Sequence, residues 1–178
     1  EQVAGVLGCY TPELYEAECF VANKLLSMLR FPYGKVRGVD GVIEEMEMTQ
    51  GIHYAPLQRE AVTLAAQSGV LLLTGGPGTG KTTATRAIVH LFEKMGLDIL
   101  LLAPTGRAAK RMGELCEREA QTIHRCLGMS YNDLTGRVTY KKGESDPLEA
   151  EAVLVDEMSM VDLPLMQALL SALRPGCR

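Results

Sequence analysis

Apolar positions along the chain alternate between two periods. Leu14, Ala17, Val21, Leu25 and Met28 recur at spacings of three and four, which places them on one face of a helix over about 12–30. Thr11-Pro12-Glu13 opens it with a capping hydroxyl, a proline at the first helical position and an early acid; Phe31-Pro32-Tyr33-Gly34 stops it. A more acidic, less regular helix is expected over 38–49, ending near Gly51, and a third over 56–67 with Leu57, Ala61, Leu64 and Ala65 apolar. The period then shortens. Val70-Leu71-Leu72-Leu73 is a continuous apolar run that reads as a strand, after which Ala84, Ala87, Ile88, Leu91, Phe92 and Met95 restore a helical stripe that Gly96 ends. Residues 98–103 read as a strand buried on both faces, and 105–119 as a helix with Ala108, Ala109, Met112, Leu115 and Cys116 inward. Residues 152–155 read as a third strand, and Asp162 caps a last helix through Leu173.

Strands alternating with helices predict an α/β fold with a doubly wound sheet, whose ligands gather at the C-terminal ends of the strands. The interval 128–148 breaks the rhythm. Asn132-Asp133-Leu134-Thr135-Gly136 is rich in turn formers and Arg137-Val138-Thr139-Tyr140-Lys141 alternates, so it is either a protruding β-hairpin or a plain surface loop.

Composition narrows the class. With 47% hydrophobic and 22% charged residues and no apolar run of membrane-spanning length, a globular cytoplasmic protein without membrane contact is expected. The five cysteines are odd in number and scattered, which suits reduced thiols and no structural metal. A net charge of −4 forbids inferring nucleic-acid binding from bulk basicity, yet the charge is uneven. Residues 1–50 hold eight acids and four bases and residues 51–178 hold fourteen of each, so any DNA surface must be local. The chain opens without Met and ends at Arg178, where a further strand is due, so a fragment is expected.

The chemistry centres on Gly75-Gly76-Pro77-Gly78-Thr79-Gly80-Lys81-Thr82, which fills every defined position of G-x-x-x-x-G-K-[ST] between an apolar run and an amphipathic helix. Its glycines let backbone N–H groups turn toward an anion, and the helix start adds its positive end. Lys81 supplies a cation for the β- and γ-phosphates, and Thr82 a hydroxyl for Mg²⁺. Val153-Leu154-Val155-Asp156-Glu157 supplies the other half: Asp156 as a metal carboxylate and Glu157 as a base for an attacking water, which favours hydrolysis over kinase chemistry. Met158 and Met160 are expected to pack beneath that site.

Other residues are less specific. The Gln58 amide can pair with adenine N6 and N7, or it is a solvated side chain on a surface helix. Thr105, Gly106, Arg107, Lys110 and Arg111 follow a strand and can bind DNA phosphates, or they form an ordinary basic helix face. The same choice holds for Thr122-Ile123-His124-Arg125, where His124 lacks a neighbouring nucleophile or metal partner.

Taken together, the blocks Gly51–Gln58 with Ala61-Val62, Thr74–Thr83, Ala103–Met112, Thr122–Arg125 and Val155–Asp162 resemble the RecD-like DNA helicases of superfamily 1, the branch moving 5′→3′, over nearly all of 51–178. The resemblance implies a RecA-like parallel sheet. ATP would be held by Gln58, Gly76, Pro77, Gly78, Thr79, Gly80, Lys81, Thr82 and Thr83, and Mg²⁺ by Thr82 and Asp156, with Lys81 and Glu157 catalytic. Single-stranded DNA would run along Thr105, Gly106, Arg107, Lys110, Arg111, Thr122, His124 and Arg125; residues 128–148 would be the strand-separating pin, and 1–50 the end of a helical accessory domain. A Gly-Asp-x-x-Gln sensor and a second RecA-like domain with its arginines do not occur in the 178 residues, so this piece is expected to bind ATP–Mg²⁺ weakly and not to unwind DNA. The strand after the Asp-Glu strand normally lies between it and the phosphate-loop strand, so unpaired backbone is expected there. The rival readings are another P-loop ATPase of DNA metabolism, an AAA-type machine, or a nucleotide- and DNA-binding module without turnover of its own.

Overall fold

The computed structural model describes residues 2–3, 6–34, 36–76, 78–134 and 136–178, with backbone alone at 2, 3, 6 and 7. The chain begins with a short antiparallel pair, β1 (Gln2–Val3) and β2 (Val6–Leu7), followed by α1 (Pro12–Leu29), α2 (Val39–Gln50), α3 (Pro56–Gln67) and α4 (Lys81–Lys94). Then come β3 (Ile99–Ala103), α5 (Gly106–Cys116), β4 (Ala120–Thr122) and α6 (Ile123–Cys126). A hairpin of β5 (Met129–Asn132) and β6 (Arg137–Tyr140) precedes β7 (Ala152–Val155), a 3-10 turn at Met158–Met160 and α7 (Leu163–Ser171). The fold is α/β with a parallel sheet, as read from the alternation of periods; the strand order is β4-β3-β7.

Because successive strand side chains point to opposite faces, β3 and β7 each supply two layers. Ile99, Leu101, Ala152 and Leu154 join Val39, Ile43, Met46, Val62, Ile88 and Phe92 of α2, α3 and α4 in one core. Leu100, Leu102, Val153 and Val155 face the other way, onto Leu165, Leu169 and Leu170 of α7 and Phe20, Val21, Leu25 and Met28 of α1. Burial on both sides explains why these strands are continuous apolar runs. Helices α1 and α2 thus join the two cores that flank the sheet, α1 packing against α7 and α2 against α3 and α4.

Three departures from the sequence reading have physical reasons. Residues 70–74 take no sheet pairing; the outer edge of β7 is met instead by Arg178, whose C=O accepts from Val153 N–H at 2.7 Å and whose N–H donates to Glu151 C=O at 2.9 Å, a parallel bridge pattern. Leu72 is correspondingly 79% exposed. Helix α5 ends earlier than 119 because Glu117 takes a left-handed conformation, φ 53°, and the chain then lays the short, only half-buried β4 beside β3. Met160 is exposed and does not pack beneath the site. The interval 128–148 does contain a β-hairpin; Thr135 at its turn lies outside the described residues.

Several polar and close backbone contacts join the N-terminal helices to the rest. The α2 carboxylate of Glu47 accepts from Tyr54 N–H at 2.8 Å and from Arg59 Nη1 at 2.9 Å, tying α2 to the start of α3. At Gly69, just before the phosphate loop, a Cβ would stand 2.2 Å from the Met28 carbonyl oxygen and 2.8 Å from the Tyr33 ring, so backbone passes against backbone where only glycine fits. Tyr33 also donates its hydroxyl to Cys177 C=O at 2.9 Å and lies under the Arg178 guanidinium at 4.3 Å.

Gly69→Ala is therefore expected to destabilise the chain by about 1–3 kcal/mol, read as a lower Tm; a wild-type Tm would refute the close approach. The Glu47 carboxyl is held below its ordinary value of 4.5, first by the Tyr54 N–H and then by Arg59. A depressed folded value makes this stabilisation complete above the ordinary value and progressively lost as pH falls through the lower folded one. Glu47→Ala should lower Tm at neutral pH and flatten the acid limb of the Tm–pH curve below about pH 4.5; parallel curves for the two proteins would exclude this role.

Candidate functional site

Helix α4 follows the glycine-rich loop and runs back along the sheet into β3, so its start lies at the edge where β3 and β7 end. Its N-cap is Gly80, at φ 81°, and no side chain caps it. The first N–H groups of α4 therefore lack a side-chain acceptor, and the positive end of the helix is offered to an anion. Lys81 Nζ reaches back over the loop, donating to Gly76 C=O at 2.8 Å and also to Gly75 C=O. Thr79 Oγ1 donates to the same Gly76 carbonyl at 2.9 Å, and Gly78 takes φ 74°. Thr82 is exposed and Thr83 half-buried; Pro77 lies outside the described residues.

Gln58 joins α3 to this loop. Its Oε1 accepts from Ala55 N–H at 2.8 Å and its Nε2 donates to Gly80 C=O at 3.2 Å. Position 80 favours glycine for its φ of 81°, and a Cβ there, 2.2 Å from that Nε2, would displace the Gln58 amide. The amide keeps one acceptor lone pair and one donor hydrogen free, and its two bonds prevent it from turning over. Gln58 and Thr83 line a cavity of about 590 Å³ together with Gln50, Ile52, His53 and Arg86. No local pattern marks those last four residues; they meet only where the end of α2, the connection to α3 and one face of α4 converge.

The parallel register of β3 and β7 pairs Leu102 with Val155, so Asp156 emerges beside Ala103. Asp156 and Glu157 are both exposed, and Asp156 Oδ1 accepts from Glu157 N–H at 2.9 Å. Glu157 is held at φ 52°, in the left-handed region that a side chain rarely adopts. Exposed hydroxyl and carboxylate oxygens on Thr82 and Asp156 suit a hard cation such as Mg²⁺, which takes few protein oxygens and keeps its waters. Among the described residues no three acidic, histidine or cysteine side chains gather as a metal cage.

On the other side of β3, Ala103 pairs with Thr122 of β4, bringing two helix starts to the same edge. Thr105 Oγ1 caps α5 by accepting from Ala108 N–H, and Thr122 Oγ1 caps α6 by accepting from Arg125 N–H, each at 3.2 Å. Gly106, Arg107, Lys110, Arg111 and Arg125 are exposed there, and His124 is half-buried. Lys110 lies 3.9 Å from Glu114; among the described residues Arg107 and Arg111 have no ion pair.

A family model described as an AAA domain matches residues 58–178. The chain is 36% identical over 169 residues to the ATP-dependent RecD2 DNA helicase of Deinococcus radiodurans, covering 95% of this chain and 22% of that protein. It is 34% identical over 146 residues to the RecBCD enzyme subunit RecD of Haemophilus influenzae, covering 68% and 22%. Against the ATP-dependent DNA helicase dda of Enterobacteria phage T4 the identity is 38% over 107 residues, covering 59% and 24%. The chain thus spans about a quarter or less of the length of these curated relatives.

The strained backbone at Glu157 gives a direct check. Glu157→Gly should raise stability by about 1 kcal/mol, or a Tm gain of about 2–4 °C, whereas Glu157→Gln should leave Tm unchanged. A lower Tm for the glycine variant would contradict the left-handed assignment.

Proposed function

The chain belongs to the AAA-domain family and resembles the N-terminal region of RecD-like helicases, and on that premise we propose that it is the ATP-binding part of a DNA helicase that couples hydrolysis to 5′→3′ movement on single-stranded DNA and to unwinding. Residues 51–178 serve as the first RecA-like motor domain, 1–50 as the end of a preceding helical domain, and a second RecA-like domain of the same protein completes the motor. The protein works in the cytoplasm.

The observation that carries this reading is the start of α4, where N–H groups without a side-chain cap meet the Lys81 ammonium. Gly76, Pro77, Gly78, Thr79, Gly80, Thr82 and Thr83 complete the phosphate cradle. Lys81 neutralises charge developing on the transferred phosphoryl group, and Glu157 takes the proton of the attacking water. Thr82 and Asp156 hold Mg²⁺, which when bound offsets the phosphate charge. Gln58, unable to turn over, presents its free lone pair to an amino group and its free N–H to a ring nitrogen, the pattern of adenine and not of guanine. Thr105, Gly106, Arg107, Lys110, Arg111, Thr122, His124 and Arg125 line the DNA path, with backbone amides and cations on its phosphates. The β5–β6 hairpin acts as the pin, its tip residue Leu134 being 97% exposed.

Titration with ATP–Mg²⁺ tests the site: Lys81→Ala should weaken binding about 10- to 100-fold, the loss of a charge-assisted contact. The 178 residues alone should neither unwind DNA nor turn over ATP at a motor's rate. In a protein extended through a second motor domain, Glu157→Gln should keep ATP binding and lose roughly 10²- to 10⁴-fold in DNA-stimulated turnover. Robust DNA-stimulated hydrolysis by the 178 residues would overturn the two-domain reading.

A further inference from the structure

Among the described residues, the lining of the cavity beside α4 includes none of the phosphate loop and begins just past it. It opens at Thr83, two residues past Lys81, and extends to Arg86 on the same helical face, since residues three apart stand one above the other. Its lining is one apolar side chain, Ile52, two amides, Gln50 and Gln58, the Thr83 hydroxyl, His53 and the Arg86 guanidinium, with no carboxylate. That set suits a neutral, flat, hydrogen-bonding ring and not a second cation. Ile52 is anchored, being half-buried and packed on the α2–α4 core. Arg86 is not: among the described residues its one ion pair, to Glu117, spans 3.7 Å, and Glu117 is 81% exposed. So open and distant a pair contributes little and is readily exchanged.

We propose that Arg86 is the residue that covers the base of the bound nucleotide, leaving Glu117 to lay its planar guanidinium on one face of the ring while Ile52 closes the other. This rests on the nucleotide reading given above and extends it from the phosphates to the base. Arginine suits the role because its delocalised plane stacks on aromatic rings and gives up hydration more readily than an ammonium. Gln58 reads the ring's edge and Arg86 its face, so the two contacts are chemically independent. Glu117, which also ends α5, competes with the base for the same guanidinium.

The test separates base from phosphate by comparing ATP with inorganic tripolyphosphate, both with Mg²⁺, on the wild-type chain and on Arg86→Ala, Arg86→Lys and Glu117→Gln. Wild type should bind ATP more tightly than tripolyphosphate. Arg86→Ala should weaken ATP by about 3- to 30-fold and leave tripolyphosphate unchanged. Arg86→Lys should fall between the two, and Glu117→Gln, which frees the guanidinium, should tighten ATP about twofold with no effect on tripolyphosphate. Equal losses for both ligands in Arg86→Ala, or no loss for ATP, would overturn the assignment. If wild type binds both ligands equally, the base contact falls while the phosphate cradle stands; if it binds neither, the nucleotide reading falls with it. Should Arg86→Ala not fold, the lysine and Glu117 variants decide between the same outcomes through the ATP-to-tripolyphosphate ratio.

Discussion

The parallel register of three short strands sets where the chemistry stands. Pairing Leu102 with Val155 and Ala103 with Thr122 brings the exits of β7, β3 and β4 to one edge. Asp156, Thr105 and Thr122 follow from that alignment, because each is the first or second residue after its strand or the strand's last. A slip of one residue would exchange the two apolar layers of the shifted strand, so that each helix layer met side chains of the wrong shape. Since both faces of β3 and β7 are covered, by α2–α4 and by α1 with α7, the register is enforced from two sides.

The phosphate loop is held differently. Its approach, residues 70–74, has no place in the sheet, so its position depends on helices: Gly69 passing against Met28 below, and the Gln58 amide bridging Ala55 and Gly80 above. This gives the loop rigid ends and a middle of mostly exposed backbone, a suitable arrangement for donors that must close around an anion. It also gives α1 and α2 a part in positioning the loop that their sequences do not advertise, whereas Gln58 of α3 is legible as a candidate.

Much of the fold was legible because long elements carry strong periodic signals. Helices α1 and α3 and strand β7 fall where their apolar spacing and caps predict. Strand β4 was not legible: Ala120-Gln121-Thr122 has no apolar run and becomes a strand only because β3 offers an edge. Residues 70–73 have a strand's composition without its partner, and composition cannot report a neighbour. At the site, the glycine-lysine loop and the Asp-Glu pair announce themselves, since their chemistry demands fixed spacing. Gln50, Ile52, His53 and Arg86 do not, because their meeting is a product of packing alone.

The β5–β6 hairpin has a mechanical consequence. Both of its strands are exposed along nearly their whole length, with Tyr131 at 59% and Val138 at 46%, and its base is fastened by Lys141 and Lys142 N–H groups to the Leu127 carbonyl. A two-stranded ribbon with no layer against either side is only marginally stable by itself. Its order therefore depends on the attachment at Leu127 and on whatever comes to lie against its two open faces.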